Sequence, residues 1–353
     1  AGAGELVLLE REDHPGYHAT GRSAALFTET YGNAVVRALT RASRRFLESP
    51  PAGFAETPLL TPRGLLYVGG ADQQDTLTRK HRDLSGSSRG VRRLSPTEVR
   101  ALCPILRDDH AAGGLLEPDC SDIDVAALHH GFLAGVRRHG GRIVTDAEVR
   151  SLRRDPQHGW VAETNRGPFA APVMVNAAGA WADAIAGLGG IRPAGLTPLR
   201  RSVVTVDLPD GVDPDGWPMV VDADETFYFK PDAGRLLVSP GDETPSPPCD
   251  AQAEEIDIAI AVDRLETATT LQVRRIGHSW AGLRTFAVDR TMIVGFDPAA
   301  KGFFWLAGQG GYGVQTAPFL GRIAAAMIAG KDPKADLAAA GLAADRLAVQ
   351  RLR

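Results

Sequence analysis

The residues best suited to chemistry lie late in the chain, in His278-Ser279-Trp280-Ala281-Gly282-Leu283-Arg284 and in the stretch from Gly302 to Thr316. The second stretch is an aromatic run that ends in four glycines, Gly308, Gly310, Gly311 and Gly313. Glycine lets a backbone come within contact distance of a flat ligand. A helix-like segment follows at 317–329, and the amides at its start can face electron-rich ligand atoms. Binding of a flat, electron-rich group is the chemistry these residues suit.

Three further segments could complete such a site. Asn176-Ala177-Ala178-Gly179-Ala180-Trp181 follows the short apolar strand predicted at 173–175, and small residues at a strand-to-helix turn permit close backbone approach. In Gly16-Tyr17-His18-Ala19-Thr20-Gly21-Arg22-Ser23-Ala24-Ala25, Gly21 permits a tight turn, Arg22 offers a fixed cation and Ser23 can cap a following helix. That turn suits a pyrophosphate, and it equally suits an ordinary loop with a capped helix. Glu5-Leu6-Val7-Leu8-Leu9-Glu10 reads as a buried parallel strand ending in an acid. Such an acid bonds ribose hydroxyls in dinucleotide-binding units, or simply ends a strand.

The elements that position these segments alternate in type. The patterning predicts helices at 34–48, 96–103, 122–139 and 253–269, with strands at 64–68, 142–145, 202–206, 226–230 and 235–238. The segment 241–250 reads as a polar, Pro-rich loop, and the last ~20 residues as a helical tail. Adjacent His129 and His130 cannot share one helical face, so no metal site is expected.

Size and composition restrict the possibilities. The chain has 353 residues, enough for two domains or one large α/β domain. A net charge of −4 gives no reason to expect nucleic-acid binding, and short, interrupted apolar runs predict no transmembrane helix. Cys103, Cys120 and Cys249 form no CxxC pair, which favours a reduced, cytoplasmic setting, with peripheral association at the inner membrane left open.

Taken together, Glu10, His18-Ala19-Thr20-Gly21-Arg22-Ser23, Val175 to Trp181, Trp280 to Arg284 and the 308–316 glycine run resemble the D-amino-acid oxidase/dehydrogenase superfamily of FAD enzymes. Within it the chain is most similar to the bacterial D-arginine dehydrogenases. The resemblance covers nearly the whole chain. It implies an α/β fold, with a Rossmann-like FAD-binding domain at 1–62, 125–205 and 280–335. An interleaved substrate domain on a mixed β-sheet would take 63–124 and 206–279, leaving 336–353 as a tail. It implies that Glu10 and Arg11 meet the adenosine ribose end and that Arg22, Ser23, Ala24 and Ala25 line the pyrophosphate and flavin. The Val149 backbone would touch the adenine side. Ala177, Ala178 and Gly179 would pack on the cofactor, and Gly310, Gly311, Tyr312, Gly313, Val314, Gln315 and Thr316 would hold the isoalloxazine edge.

At the substrate end, the resemblance implies that Arg201 and Arg284 bind an amino-acid carboxylate. Tyr228 adds a hydroxyl bond, Tyr31 closes the site from a mobile loop, and Gly311 offers a carbonyl to the substrate amine. The implied reaction is hydride transfer from Cα to flavin N5, giving a 2-oxo acid and ammonia, with no obligatory protein base. The electron acceptor, whether oxygen, a quinone or a carrier, is not specified by the sequence.

Two departures stand out. The first strand and GxGxxG turn of the FAD domain are missing, and Ala1-Gly2-Ala3-Gly4 resembles only the end of the first helix. The sequence as written is therefore expected to hold FAD poorly, and a non-catalytic fragment is one alternative. Leu65 stands where arginine-preferring relatives carry an acid, so neutral or apolar D-amino acids are expected, with Glu29 on the lid loop as a rival, more solvent-facing acid. N-methyl amino acids and 2-hydroxy acids are further alternatives on the same scaffold.

Overall fold

The structure, a computed structural model, describes residues 5–85 and 90–353. The segment Ala1 to Gly4 lies outside the described residues.

A nine-stranded sheet dominates the architecture. Its order runs Thr244–Pro245, Thr197–Asp207, Arg235–Ser239, Tyr228–Asp232, Met219–Asp222, Leu65–Gly69, Gly113–Glu117 and Arg92–Leu94, with Ile276–Phe286 also paired to Thr197–Asp207. Most pairs are antiparallel, but Met219–Asp222 runs parallel to Leu65–Gly69, so the sheet is mixed. Side chains alternate across a strand, which gives this sheet two distinct faces. Leu66, Val68, Val204, Val206, Val220, Phe229, Leu236 and Val238 fill one face, packed with Ala261 and Leu265 of the helix Glu255–Ala268. Leu65, Tyr67, Val203, Val221, Tyr228, Leu237 and Trp280 fill the other. The boundaries expected at 205/206 and 279/280 fall inside the Thr197–Asp207 and Ile276–Phe286 strands, because those two form one continuous ladder within this sheet.

The cofactor-type segments form smaller sheets. Val7–Leu9 pairs in parallel with Arg142–Val144, and Met174–Asn176 pairs in parallel with Phe303–Ala307. The helix Ala34–Glu48 spans the predicted residues, capped by Asn33, whose side chain accepts from the Val36 amide at 3.1 Å. Ser95 enters Pro96–Leu102 through a capping box with Glu98.

Several expectations change. The helix predicted from 122 begins at Val125, because Ser121–Ile123 is a strand and Asp124 caps the helix. Ser23 caps no helix: its hydroxyl accepts from the Ala25 amide at 3.2 Å, and the next element is the strand Leu26–Phe27, paired with Asp122 and Ser121. The helix after the glycine run starts at Gly313, not 317. The terminal segment is not a loose tail. Leu337, Leu347 and Val349 are buried in the core, and Arg353 bonds the buried carboxylate of Asp297 at 2.8 Å. Among the described residues, no helix is long and apolar enough to cross a membrane.

Leu347 is 2% exposed. Leu347→Ala should therefore cost about 2–4 kcal/mol in urea unfolding, by lost transfer energy and the cavity left behind. A segment lying loosely on the surface would lose less than about 0.5 kcal/mol.

Candidate active site

Strand register brings the two expected arginines together. Arg201 pairs with Gly282, and Arg284 lies two residues further along the same strand, so both side chains leave one face of the ladder. Tyr228 lies on the same sheet face in a neighbouring region, and the Arg201 guanidinium sits 6.0 Å from its ring centroid. Arg284 Nη1 donates to the Tyr31 hydroxyl at 3.3 Å. A Cβ added to Gly311 would lie 3.1 Å from that hydroxyl and 3.2 Å from Arg284 Nη1. Arg201, Arg284, Tyr228, Tyr31 and Gly311 therefore converge.

Arg201 stands 3.8 Å from Asp242 and 3.6 Å from Glu243. Arg284 is half-buried and forms no ion pair among the described residues. Among the described residues the buried Tyr228 hydroxyl has no hydrogen-bond partner: Ser239 and Arg201 lie close enough to favour the phenolate, but neither meets it with hydrogen-bond geometry. Burial works to raise the Tyr228 pKa, yet the Arg284 and Arg201 charges prevail and hold it below the ordinary tyrosine value. Unmatched positive charge beside an orphaned buried hydroxyl suits an anionic ligand.

The glycine turn is built against this cluster. Gly310 has φ of 54° and donates its amide to the Thr285 carbonyl at 2.8 Å. A Cβ there would lie 2.2 Å from the Phe286 ring. No side chain caps the first turn of the helix Gly313–Ile328, so its amides remain available for an electron-rich edge. Tyr312 packs edge-to-face on Tyr31 at 4.9 Å. The side chains of Gln315 and Thr316 turn elsewhere. Gln315 accepts from the Thr28 amide at 3.1 Å and donates to the Thr40 hydroxyl at 2.9 Å, while Thr316 donates to the Tyr312 carbonyl at 2.8 Å. These two residues brace the helix and leave only their backbone for a cofactor.

The other cofactor-type residues lie along one path. Glu10 ends its strand and accepts from the Glu12 amide at 3.0 Å. Arg11 stacks 4.5 Å from the Trp181 ring centroid, which joins this end to the Ala177–Gly179 turn. Gly179 has φ of 54°, with open space where a Cβ would stand. Val149 opens the strand Val149–Asp155. Ala24 packs beside Leu26 and Trp280, and the Trp280 indole donates to the Arg22 carbonyl at 3.2 Å. The Arg22 guanidinium is already committed. It donates to the carbonyls of Tyr17, Ala251 and Ala281 at 3.2, 2.8 and 2.9 Å and pairs with Asp250. It ties three segments together and has little left to offer a diphosphate.

Leu65 is buried on the sheet face that also carries Tyr228. Its direct cross-strand partner is Glu117, which is only 2% exposed and accepts from the hydroxyls of Thr28 and Thr30. The sequence hides this acid because the pairing joins residues far apart in the chain. Glu29 is neither solvent-facing nor turned to the pocket: it accepts from Arg44 Nε at 2.7 Å and is largely buried.

A family model described as FAD dependent oxidoreductase (DAO) matches residues 1–327. The chain belongs to this family. Its cofactor is FAD, and the glycine turn, the uncapped helix start and the open space over Gly179 fit that group. The chain is 26% identical over 262 residues to mitochondrial dimethylglycine dehydrogenase of Mus musculus, covering 69% of this chain and 30% of that protein. It is 25% identical over 285 residues to glycine oxidase of Geobacillus kaustophilus, covering 79% and 73%. The crystal structure of that glycine oxidase superposes with a TM-score of 0.81 at 22% identity, covering 93% of this chain and 89% of the other, and shares the α/β fold with mixed sheets. The chain thus spans about a third of the length of the dimethylglycine dehydrogenase it matches.

Gly310→Ala should lower thermal stability and FAD retention together. The left-handed backbone alone disfavours alanine by about 1 kcal/mol, and the Phe286 ring leaves no room for the methyl. Equal stability and equal FAD content in purified variant and parent would show that the turn is not held as described.

Proposed function

We propose that this chain oxidises the Cα–N bond of a small amino acid, with a D-amino acid of neutral or apolar side chain as the preferred substrate. The observation that carries the proposal is the convergence of the unpaired Arg284 and the orphaned Tyr228 hydroxyl beside the Gly310–Gly311 turn. Arg284 and Arg201 take the substrate carboxylate, and Tyr228 donates a further bond to it. Tyr31 covers the site, and Gly311 presents its carbonyl to the amine. The backbone from Gly310 to Val314, the Ala177–Gly179 turn and the Ser23–Ala25 segment would hold FAD, with Glu10 and Val149 at its adenosine end. Bound FAD supplies the two-electron oxidation. The protein binds, orients and excludes water, and no side chain is assigned as an obligatory base. The oxidised product is an imino acid, which water then hydrolyses to a 2-oxo acid with release of ammonia.

Leu65, Tyr67 and Met219 give the side-chain pocket an apolar wall, and the neighbouring Glu117 is engaged by two threonines. This distinguishes the chain from the D-arginine dehydrogenase pattern. A second substrate class, glycine and its N-methyl derivatives, is favoured by the names of the relatives, glycine oxidase and dimethylglycine dehydrogenase. Both classes offer one carboxylate to the arginines. A kcat/KM panel of D-alanine, D-leucine, D-arginine, glycine, sarcosine and N,N-dimethylglycine separates them. An advantage of about tenfold or more for sarcosine over every D-amino acid would select the second class.

Arg201→Met and Arg284→Met should each remove a charge-assisted contact worth about 2–4 kcal/mol, roughly a 30- to 1000-fold loss in kcat/KM. Near-normal kinetics in both variants, with FAD retained, would place the substrate elsewhere. The depressed Tyr228 pKa means that its donor proton is lost as pH rises, before the ordinary tyrosine range near about 10. The kcat/KM profile should therefore fall on its alkaline side, and Tyr228→Phe should remove that limb while lowering the plateau. An unchanged limb in the phenylalanine variant would assign it to another group.

A further inference from the structure

A third guanidinium, that of Arg290, is linked to Arg201 through a shared acid, Glu243. Arg290 stacks 4.5 Å from the Phe286 ring centroid, two residues along the strand from Arg284. It is held in a turn by donation of its amide to the Ala287 carbonyl at 2.9 Å, with a left-handed φ of 55°. Two acids stand beside these cations: the Asp242 carboxylate lies 3.8 Å from Arg201 Nε, and Glu243 reaches both Arg201 and Arg290. Glu243 Oε1 accepts from Arg290 Nη1 at 3.0 Å, Oε2 pairs with Arg290 Nη2, and Oε1 stands 3.6 Å from Arg201 Nη2. Bonding to Arg290 holds the Glu243 carboxyl below its ordinary pKa against the opposing effect of burial, and Arg201 and Arg284 add to this. Glu243 is therefore an anion in place.

The neighbouring acid is otherwise occupied. The Asp242 carboxylate accepts from the Ser202 amide at 2.7 Å and hydroxyl at 3.0 Å, and its carbonyl accepts from Arg201 Nε at 2.7 Å. Burial pushes its pKa upward despite those bonds. Arg201 is thus aimed by the Asp242 backbone, while its outer nitrogen atoms are shared between the substrate position and Glu243.

We propose that Glu243 is a specificity-determining residue: its carboxylate fills a second anion position beside Arg201, so the site admits amino acids with one carboxylate and rejects dicarboxylic ones. Arg290 is its positioning residue, holding Glu243 beside the substrate carboxylate rather than on top of it. Like charges this close are mutually costly unless a cation stands between them. The inference rests on the proposal that Arg201 and Arg284 take the substrate carboxylate.

The test uses the FAD-loaded protein. In Glu243→Gln, the kcat/KM ratio of D-glutamate to D-alanine should rise by about tenfold or more, since Arg201 and Arg290 become available to a second carboxylate. Calorimetric dissociation constants for isophthalate and benzoate, which are not oxidised, should shift in the same sense. Arg290→Met should raise the KM for D-alanine with kcat retained, as Glu243 turns onto Arg201, and adding Glu243→Gln should restore that KM. Should Glu243→Gln not retain FAD, Glu243→Ser takes its place. Unchanged ratios in both the kinetic and calorimetric measurements would overturn the assignment of Glu243. Arg284→Met tells the two ideas apart. If it abolishes use of D-alanine while the Glu243 ratios stay fixed, only the second-anion assignment fails. If it leaves D-alanine kinetics unchanged, the carboxylate position itself is wrong.

Discussion

The register that sets Arg201 opposite Gly282 fixes the rest of the site. It delivers two guanidiniums to one face of one ladder, with a glycine directly across from Arg201 and two residues before Arg284. Two cations in a partly buried place repel each other and lose hydration, so their surroundings must offset both costs. The surroundings do this piecemeal. The Asp242 carbonyl takes one nitrogen of Arg201, the Tyr31 hydroxyl meets Arg284, and Glu243 adds a negative charge at the rim. The remaining electrostatic demand falls on whatever binds. The opposite face of the sheet is packed with aliphatic and aromatic side chains against a helix, which keeps the strands from yielding to that repulsion.

The glycine turn answers a second constraint. Its backbone comes close to the arginine cluster and to the Phe286 ring. A side chain at Gly311 would crowd the ends of Tyr31 and Arg284, and Gly310 lies hard against Phe286. The helix that follows is braced from behind by Gln315, Thr316 and Ser43, so its free end is presented while its flank is fully bonded. The glycine turn and the start of this helix are therefore continuous with the arginine cluster.

The sequence conveyed those features that depend on local chemistry. The glycines, the Ser95 capping box and the helix 34–48 could all be read from neighbours in the chain. The resemblance supplied the pairing of Arg201 with Arg284. What could not be read were partnerships across long loops. Glu117 lies opposite Leu65 only because two strands pair far from one another in sequence, and Arg22 looked free because its acceptors sit about 230 to 260 residues away. The last residues read as a tail because their apolar residues are mostly alanines, with few large side chains to mark a buried face. Their burial depends on a groove formed by the core, and on the acid of Asp297 that receives Arg353. Ser23 resembled a helix cap because hydroxyl-capped turns precede strands as well as helices.

One chain of buried hydrogen bonds links the two ends of the site. Glu117 is bonded by Thr28, the Thr28 amide is bonded by Gln315, and Gln315 is bonded to Thr40 on the neighbouring helix. Thr30 reaches the same carboxylate, and the next residue is Tyr31. The pocket wall around Leu65 is thus not an interchangeable lining. Grafting another enzyme's side-chain pocket onto this scaffold would mean transferring Glu117, Thr28, Thr30, Gln315 and Thr40 as a single block, since any one of them moved alone would strand a buried polar group beside the start of the helix Gly313–Ile328.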